Sequence, residues 1–230
     1  MDSQITYRHE LKYQIRAADY YAIRARISAI MKHDCNATES GTYIIRSIYF
    51  DNYRDKALRE KIDGLPIREK FRIRFYNNDF SYITLEKKIK HNSLCVKEDA
   101  DISQDEFKKI ICDPGVWMAN HNKNLVRELW TKMQTQQLRP RVIVSYKREP
   151  FVYNAGNVRV TFDSNIRTSL FQSDFATGIL PDIPADNSDD TIILEVKYDN
   201  VLPDVIACLL QTGNLHQQAF SKYGACRRFG

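Results

Sequence analysis

The chain has 230 residues, 43% of them hydrophobic and 27% charged, with a formal net charge of +5. That length supports one large domain or two small ones with a sizeable core, and the modest positive excess suits an anionic ligand without demanding nucleic acid. None of the five cysteines forms a CxxC pair, which argues against zinc; "MDSQITYRHE" has no apolar leader, and no stretch approaches the roughly 20 apolar residues of a membrane helix, so reduced thiols in a cytoplasmic setting are expected.

"ITYRHELKYQI" alternates as a strand, with Arg8, Glu10 and Lys12 in one phase. A helix follows, because Tyr20, Ile23, Ile27 and Ile30 fall on one stripe. "GTYIIRSIYFD" reads as a strand rich in β-branched and aromatic residues, and "YRDKALREKIDG" as a turn or short helix. Next comes "IREKFRIRFYN", with Arg68, Lys70, Arg72 and Arg74 in one phase and Phe71, Ile73 and Phe75 in the other. "FSYITLEKKIK" alternates again, and "SLCVKEDAD" is its expected hairpin partner, carrying Lys97. The middle is helical: Ser103 and Glu106 form a capping box before "EFKKII", and Leu125, Leu129 and Met133 make a second stripe. Strands resume with "RPRVIVSYKREPF", "NVRVTFDSNI" and "TIILEVKYD". Between the last two, "SDFATGILPDIPADNSDD" reads as a long exposed loop. A last helix, "PDVIACLLQTG", has Pro203 at its start and Gly213 as its C-cap, and "ACRRFG" reads as a solvated end. About eight strands interrupted by helices give an α+β chain, with turn spacing suited to an antiparallel sheet or barrel.

Strand after strand carries charge in one phase. A sheet with one solvated face would show the same pattern. A closed barrel would instead turn that phase into a lumen, and eight strands leave room there for side chains or one slender ligand. A lumen of Arg and Lys suits phosphate chains, since Arg forks bind phosphate bidentately and Lys acts as a point charge. The few glutamates among them then look like ligands for a hard cation.

"YRHELKY", "RSIYFD", "EKIDGLPIREKFRIRFY", "LEKKIK…VKED", "SYKREPF", "VRVTFD", "ILEVKYD" and "FSKYG" occur in this order. Together they resemble the VTC domain, the polyphosphate polymerase domain of the vacuolar transporter chaperone family, within the CYTH group of triphosphate tunnel enzymes. The resemblance covers nearly the whole chain and implies that residues 1–230 form one VTC-like domain, an antiparallel β-barrel enclosing a cationic tunnel. It implies transfer of the γ-phosphate of ATP to a polyphosphate end with Mn²⁺ or Mg²⁺. By motif, the tunnel cations would be Lys12, Arg72, Arg74, Lys88, Lys97, Arg148, Arg159 and Lys222. Arg8, Lys61 and Ser221 are further phosphate-binding candidates, Glu195 is the metal carboxylate, and Glu10 could assist. Hydrolytic CYTH enzymes open with Glu-x-Glu-x-Lys; here the first position is Arg8, which favours the VTC branch over a two-metal hydrolase. The inositol-phosphate sensor domain and membrane helices of the eukaryotic polymerases have no counterpart in these motifs, and protein partners are unknown.

The bland alternatives are concrete. Glu195 could simply pair with Lys197, and Glu10 with Lys12. Arg68 and Lys70 sit near a strand start, as rim residues would. Tyr49, Phe50 and Asp51 read as strand-end packing, with Asp51 able to brace a tunnel cation. Triphosphate hydrolysis in the same tunnel and non-catalytic polyphosphate binding are the competing functions. Nucleic-acid binding is disfavoured, because Phe71, Ile73 and Phe75 lie opposite the cations rather than among them. No P-loop and no Ser-His-Asp or Cys-His arrangement is present.

Overall fold

Alternating strands, each with one apolar and one charged phase, must bury the first and find a use for the second. The computed structural model describes residues 8–92, 94–170, 182–185, 191–213, 215–218 and 220–227. Among the described residues ten strands are formed: β1 (His9–Ile15), β2 (Lys32–His33), β3 (Tyr43–Asp51), β4 (Ile67–Tyr76), β5 (Asp79–His91), β6 (Leu94–Ile102), β7 (Arg139–Tyr153), β8 (Val158–Leu170), β9 (Ile183–Pro184) and β10 (Ile192–Tyr198). Between them lie α1 (Ala17–Ile27), α2 (Lys56–Ile62), α3 (Gln104–Cys112) and α4 (Asn124–Thr135), and after them α5 (Asp204–Leu210) and α6 (Lys222–Cys226).

All strand pairs are antiparallel, in the order β1-β10-β8-β7-β3-β4-β5-β6, with the two-residue strands β2 and β9 added on β7 and β8. The ends of this path, β1 and β6, meet at an isolated bridge between Arg8 and Cys95 rather than along a continuous ladder. The eight long strands therefore curl into a barrel with one seam, as expected from their spacing.

Period-two alternation sorts the side chains onto the two faces. Phe71, Ile73 and Phe75 of β4 point out and are buried with Ile48, Leu85 and the inner stripes of α3 (Phe107, Ile110) and α4 (Leu125, Leu129, Met133). On the opposite wall, Val160, Phe162, Leu194 and Val196 are covered by Ile23 and Ile27 of α1 and Ile206 and Leu210 of α5. Burying each such side chain is worth about 1.5–3 kcal/mol, so both walls are held from outside. α3 starts at the expected capping box, Ser103 Oγ accepting from Glu106 N and Glu106 accepting from Ser103 N.

A third apolar cluster sits on the inner face: Tyr43, Ile45, Tyr49, Val142, Val144, Tyr146, Ile166 and Ile193, closed by Tyr223 and Cys226 of α6. Asn165, in the left-handed conformation at φ +49°, accompanies a register shift between β7 and β8, so that Asp163 and then Ile166 both turn inward.

Four local expectations are corrected. Ile30 is 41% exposed and lies past the end of α1, so the stripe stops at Ile27. α5 ends at Leu210 with Gln211 as its C-cap, two residues short of Gly213, because Gln211 returns to extended backbone. Pro184 belongs to β9, paired with β8; the rest of the expected acidic loop lies largely outside the described residues. The tail is not simply solvated: Cys226 is buried and Arg227 pairs with Asp55 at 2.6 Å. All five cysteines are free thiols. Among the described residues no helix is long and apolar enough to cross a membrane.

Candidate functional site

The inward polar phase surrounds a cavity of about 510 Å³. The alternation of β4 places Arg68, Lys70, Arg72 and Arg74 on its wall, and β5 adds Lys88 and Lys90 from directly opposite. β1 contributes Glu10 and Lys12; β10 contributes Glu195 and Lys197, each opposite one of them. Tyr146 and Arg148 come from β7, Tyr49 from β3 and Lys61 from α2. Ser221, Lys222 and Tyr223 come from the start of α6, which is held in the barrel by the Tyr223 hydroxyl donating to Asp51 at 2.5 Å.

Of the residues expected from sequence, Glu10, Lys12, Lys61, Arg72, Arg74, Lys88, Arg148, Glu195, Ser221 and Lys222 are thus brought together around one cavity. Arg8, Lys97 and Arg159 stand outside it. Arg8 pairs with Asp199 at 2.8 Å and donates to Asn157 O. Lys97 is half exposed, between Asp99 (3.3 Å) and Glu86 (3.6 Å). Arg159 is drawn away by Asp34 and by the Tyr43 hydroxyl, both at 2.8 Å. Conversely, Arg68 and Lys70, expected at the rim, line the cavity, as do Lys90 and Lys197.

Within the wall the cations fall into two groups. The first is neutralised by buried carboxylates. Glu86 takes Arg72 Nε at 2.6 Å and Arg74 Nη1 at 3.4 Å, while the Tyr49 hydroxyl accepts from Arg72 Nη1 at 2.8 Å. Asp163 receives both arms of Arg148, at 2.6 and 2.8 Å, and Lys222 at 2.5 Å; both cations lie over the Tyr146 ring. Lys12 bridges Glu10 at 2.8 Å and Glu195 at 3.5 Å, Lys197 holds Glu195 at 2.8 Å, and Lys88 holds Glu10 at 2.7 Å across the seam. Burial pushes the four carboxyls up, but their cationic partners outweigh it and hold all of them below the ordinary range.

The second group is Lys61, Arg68, Lys70 and Lys90, for which no carboxylate lies within 4 Å among the described residues. Arg68 is directly opposite Lys90, and Lys70 directly opposite Lys88, which in turn faces Lys97. Like charges placed opposite one another destabilise a sheet unless something neutralises them. Burial and then Lys88, Lys12, Arg72 and Arg68 lower the Lys70 ammonium to about 7.

Sequence reasoning missed Glu86 and Asp163 as the anchors of the arginines, and Tyr49 and Tyr146 as their aromatic supports. Glu86 and Asp163 do lie in the charged phase of their strands, but only the register shows which arginine each one meets.

The carboxylate arrangement can be tested for a divalent ion. Glu195 raises the proton affinity of Glu10, and the two share the Lys12 ammonium, so a cation already sits between them. Two hard oxygen donors beside a cationic wall fit Mg²⁺ or Mn²⁺, which take one or two carboxylates and fill their remaining positions with other oxygens. No cluster of three or more metal-ligating side chains occurs among the described residues, so the protein alone makes no closed cage.

No curated protein sequence matches the chain. Among solved structures, it is similar to a candidate adenylate cyclase from Bacillus halodurans, at 13% identity and a TM-score of 0.51, covering 89% of this chain and 86% of that one. A candidate adenylate cyclase from Vibrio parahaemolyticus matches at 10% identity and a TM-score of 0.50, covering 96% and 98% of the two chains. These likenesses establish the barrel as a shared fold. The profile of the VTC domain matches residues 7–229, the span that supplies every strand of the barrel and every residue of the cavity wall: the chain belongs to the VTC domain family.

Proposed function

We propose that this domain is a polyphosphate polymerase, transferring the γ-phosphoryl group of ATP to the end of a polyphosphate chain within the barrel. The observation that carries the reading is a single cavity in which Lys and Arg from five strands and two helices converge around two adjacent carboxylates, Glu10 and Glu195.

Phosphoryl transfer needs little covalent chemistry from the protein; positioning and charge stabilisation supply most of the rate. Arg72, Arg74 and Arg148 are pre-aimed, because Glu86, Asp163, Tyr49 and Tyr146 fix their guanidinium planes. Each keeps N–H donors for phosphate oxygens. Lys12, Lys88 and Lys222 are mobile point charges that exchange a carboxylate for phosphate when substrate enters. One P–O bond forms to the terminal oxygen of the acceptor chain as the bond to the β-phosphate bridging oxygen breaks, and ADP leaves with that electron pair. Glu10 and Glu195 would hold the divalent ion, which when bound neutralises charge on the transferring group. Lys97 and Arg159 act through their partners, Lys97 on Glu86 and Arg159 on Asp34 and Tyr43.

Arg8 replaces the first carboxylate of the hydrolytic pattern and is tied to Asp199 outside the cavity, which leaves two carboxylates for metal and supports the polymerase over a two-metal hydrolase. The test is to incubate the purified protein with ATP and Mn²⁺ and to measure ADP together with phosphate-chain length on a gel. ADP with growing chains is the expected result. Orthophosphate without chains assigns the site to hydrolysis, and chain binding without any ADP assigns it to a binding module.

A further inference from the structure

The wall on the β4 side presents cations that have no carboxylate partner among the described residues. Lys70 is the clearest of them. It stands between Arg68 and Arg72 on its own strand and opposite Lys88 on β5, with Lys12 facing it from β1. From β3 and α6 it meets aromatic faces: its Nζ lies 6.0 Å from the Tyr49 ring and 5.8 Å from the Tyr223 ring. The carboxylates of the cavity are turned elsewhere, Glu86 to Arg72 and Arg74, Glu10 to Lys12 and Lys88, Glu195 to Lys12 and Lys197. Asp51, beneath Tyr223, is occupied by that hydroxyl and by the amides of Ala57 and Leu58.

We propose that Lys70, with Arg68 and Lys90, forms an anion subsite in which a segment of phosphate chain is bound together with a proton taken up by the Lys70 amine. The proposal rests on the reading that the cavity takes phosphate chains, and adds a subsite and a proton linkage to it. Elsewhere in the cavity a phosphate must exchange with a carboxylate already in place. At Lys70 no ion pair has to break, and the incoming charge is met by four cations whose mutual repulsion it relieves. Burial, together with that repulsion, keeps the empty-site amine largely neutral at pH 8, because its proton affinity is held near 7. A phosphate oxygen within hydrogen-bond reach reverses that balance and raises it toward the ordinary lysine value. The ligand class is inorganic phosphate chain; a nucleotide would meet this subsite with its triphosphate, whose oxygens are what Arg68, Lys70 and Lys90 can bind.

The experiment is titration calorimetry of the full chain with inorganic tripolyphosphate, free of metal, at pH 8 in buffers of different ionisation enthalpy. Lys70→Arg keeps the cation and abolishes its titration; Lys70→Met removes both. Wild type should take up about one proton more than Lys70→Arg at pH 8, and the difference should vanish at pH 6, where the free amine is already charged. Lys70→Arg should bind with similar affinity and Lys70→Met roughly tenfold more weakly, as for loss of one charge-assisted contact. Equal proton uptake by wild type and Lys70→Arg overturns the subsite proposal and leaves the tunnel reading standing. No tripolyphosphate binding by wild type overturns both.

Discussion

The two sides of the cavity are built on opposite electrostatic plans. Around Arg72, Arg74, Arg148 and Lys222, each cation is paired with Glu86 or Asp163, and the three guanidinium planes are set by partners on the protein itself. Around Arg68, Lys70 and Lys90, cations face cations, and no carboxylate among the described residues lies within ion-pair distance of them. Under the proposed function, the first plan gives preorganisation, which phosphoryl transfer rewards, and the second gives affinity for a polyanion at the expense of the empty protein. One strand, β4, runs through both, so four basic residues at period two serve two purposes within ten residues.

Removing the anchor of the pinned side should produce the largest effect. Asp163→Ala leaves Arg148 and Lys222 buried without a counter-charge, and breaking a buried pair in this way costs about 3–5 kcal/mol. Thermal unfolding should show a large loss of stability, partly restored by millimolar pyrophosphate, which can take the place of the carboxylate. An unchanged midpoint would mean that the pinned side is not pinned. The sign of the acid response follows. Glu86, Asp163, Glu10 and Glu195 are all held below their ordinary values, so they contribute stability above about pH 4 that is lost as pH falls further. Asp163→Ala should flatten that loss.

Glu195→Gln separates catalysis from binding. The amide keeps shape and removes the charge a divalent ion needs, so Mn²⁺-dependent ADP release should fall by about a hundredfold or more. Metal-free pyrophosphate should bind at least as well, because the wall becomes more positive. If ADP release persists unchanged, Glu195 serves only as the partner of Lys197. Smaller losses are expected from Arg72→Ala and Arg74→Ala, each weakening tripolyphosphate binding by roughly tenfold to a hundredfold. Because Glu86 then keeps only one arginine and Lys97, the double variant should lose less than the sum of the two.

The alternation of charged and apolar residues made the barrel and most of its lining legible in the sequence. Phe71, Ile73 and Phe75 are outward and buried, Arg72 and Arg74 inward, because a period of two leaves a strand no other choice once one face is covered. What stayed hidden depends on register between strands far apart in the chain. Arg159 has the inward phase of β8 and the motif of a tunnel cation, yet Asp34, 125 positions earlier, holds it outside the cavity wall. Lys70 looked like a rim residue from its place in the strand. It lines the cavity because α6, almost at the end of the sequence, folds back over it with Tyr223. The helical tail itself was missed because five residues carry no periodicity to read.

The smallest effect probes the unpinned side directly. In the empty protein the Lys70 amine is held near 7, below the roughly 10.4 of a free lysine. Between those values the unfolded chain binds a proton that the native chain does not, so stability rises with pH across that window. Lys70→Met removes the penalty. Its melting midpoint should exceed that of wild type by a few degrees at or below pH 7. The gain should shrink as pH rises from 7 and disappear above about 10.5, where both states carry a neutral amine. Saturating tripolyphosphate should reverse the order, because wild type then gains the ligand contact that the variant lacks. A lower midpoint for Lys70→Met without ligand would mean that the lysine stabilises the empty barrel, and the contrast between the two sides of the cavity would collapse.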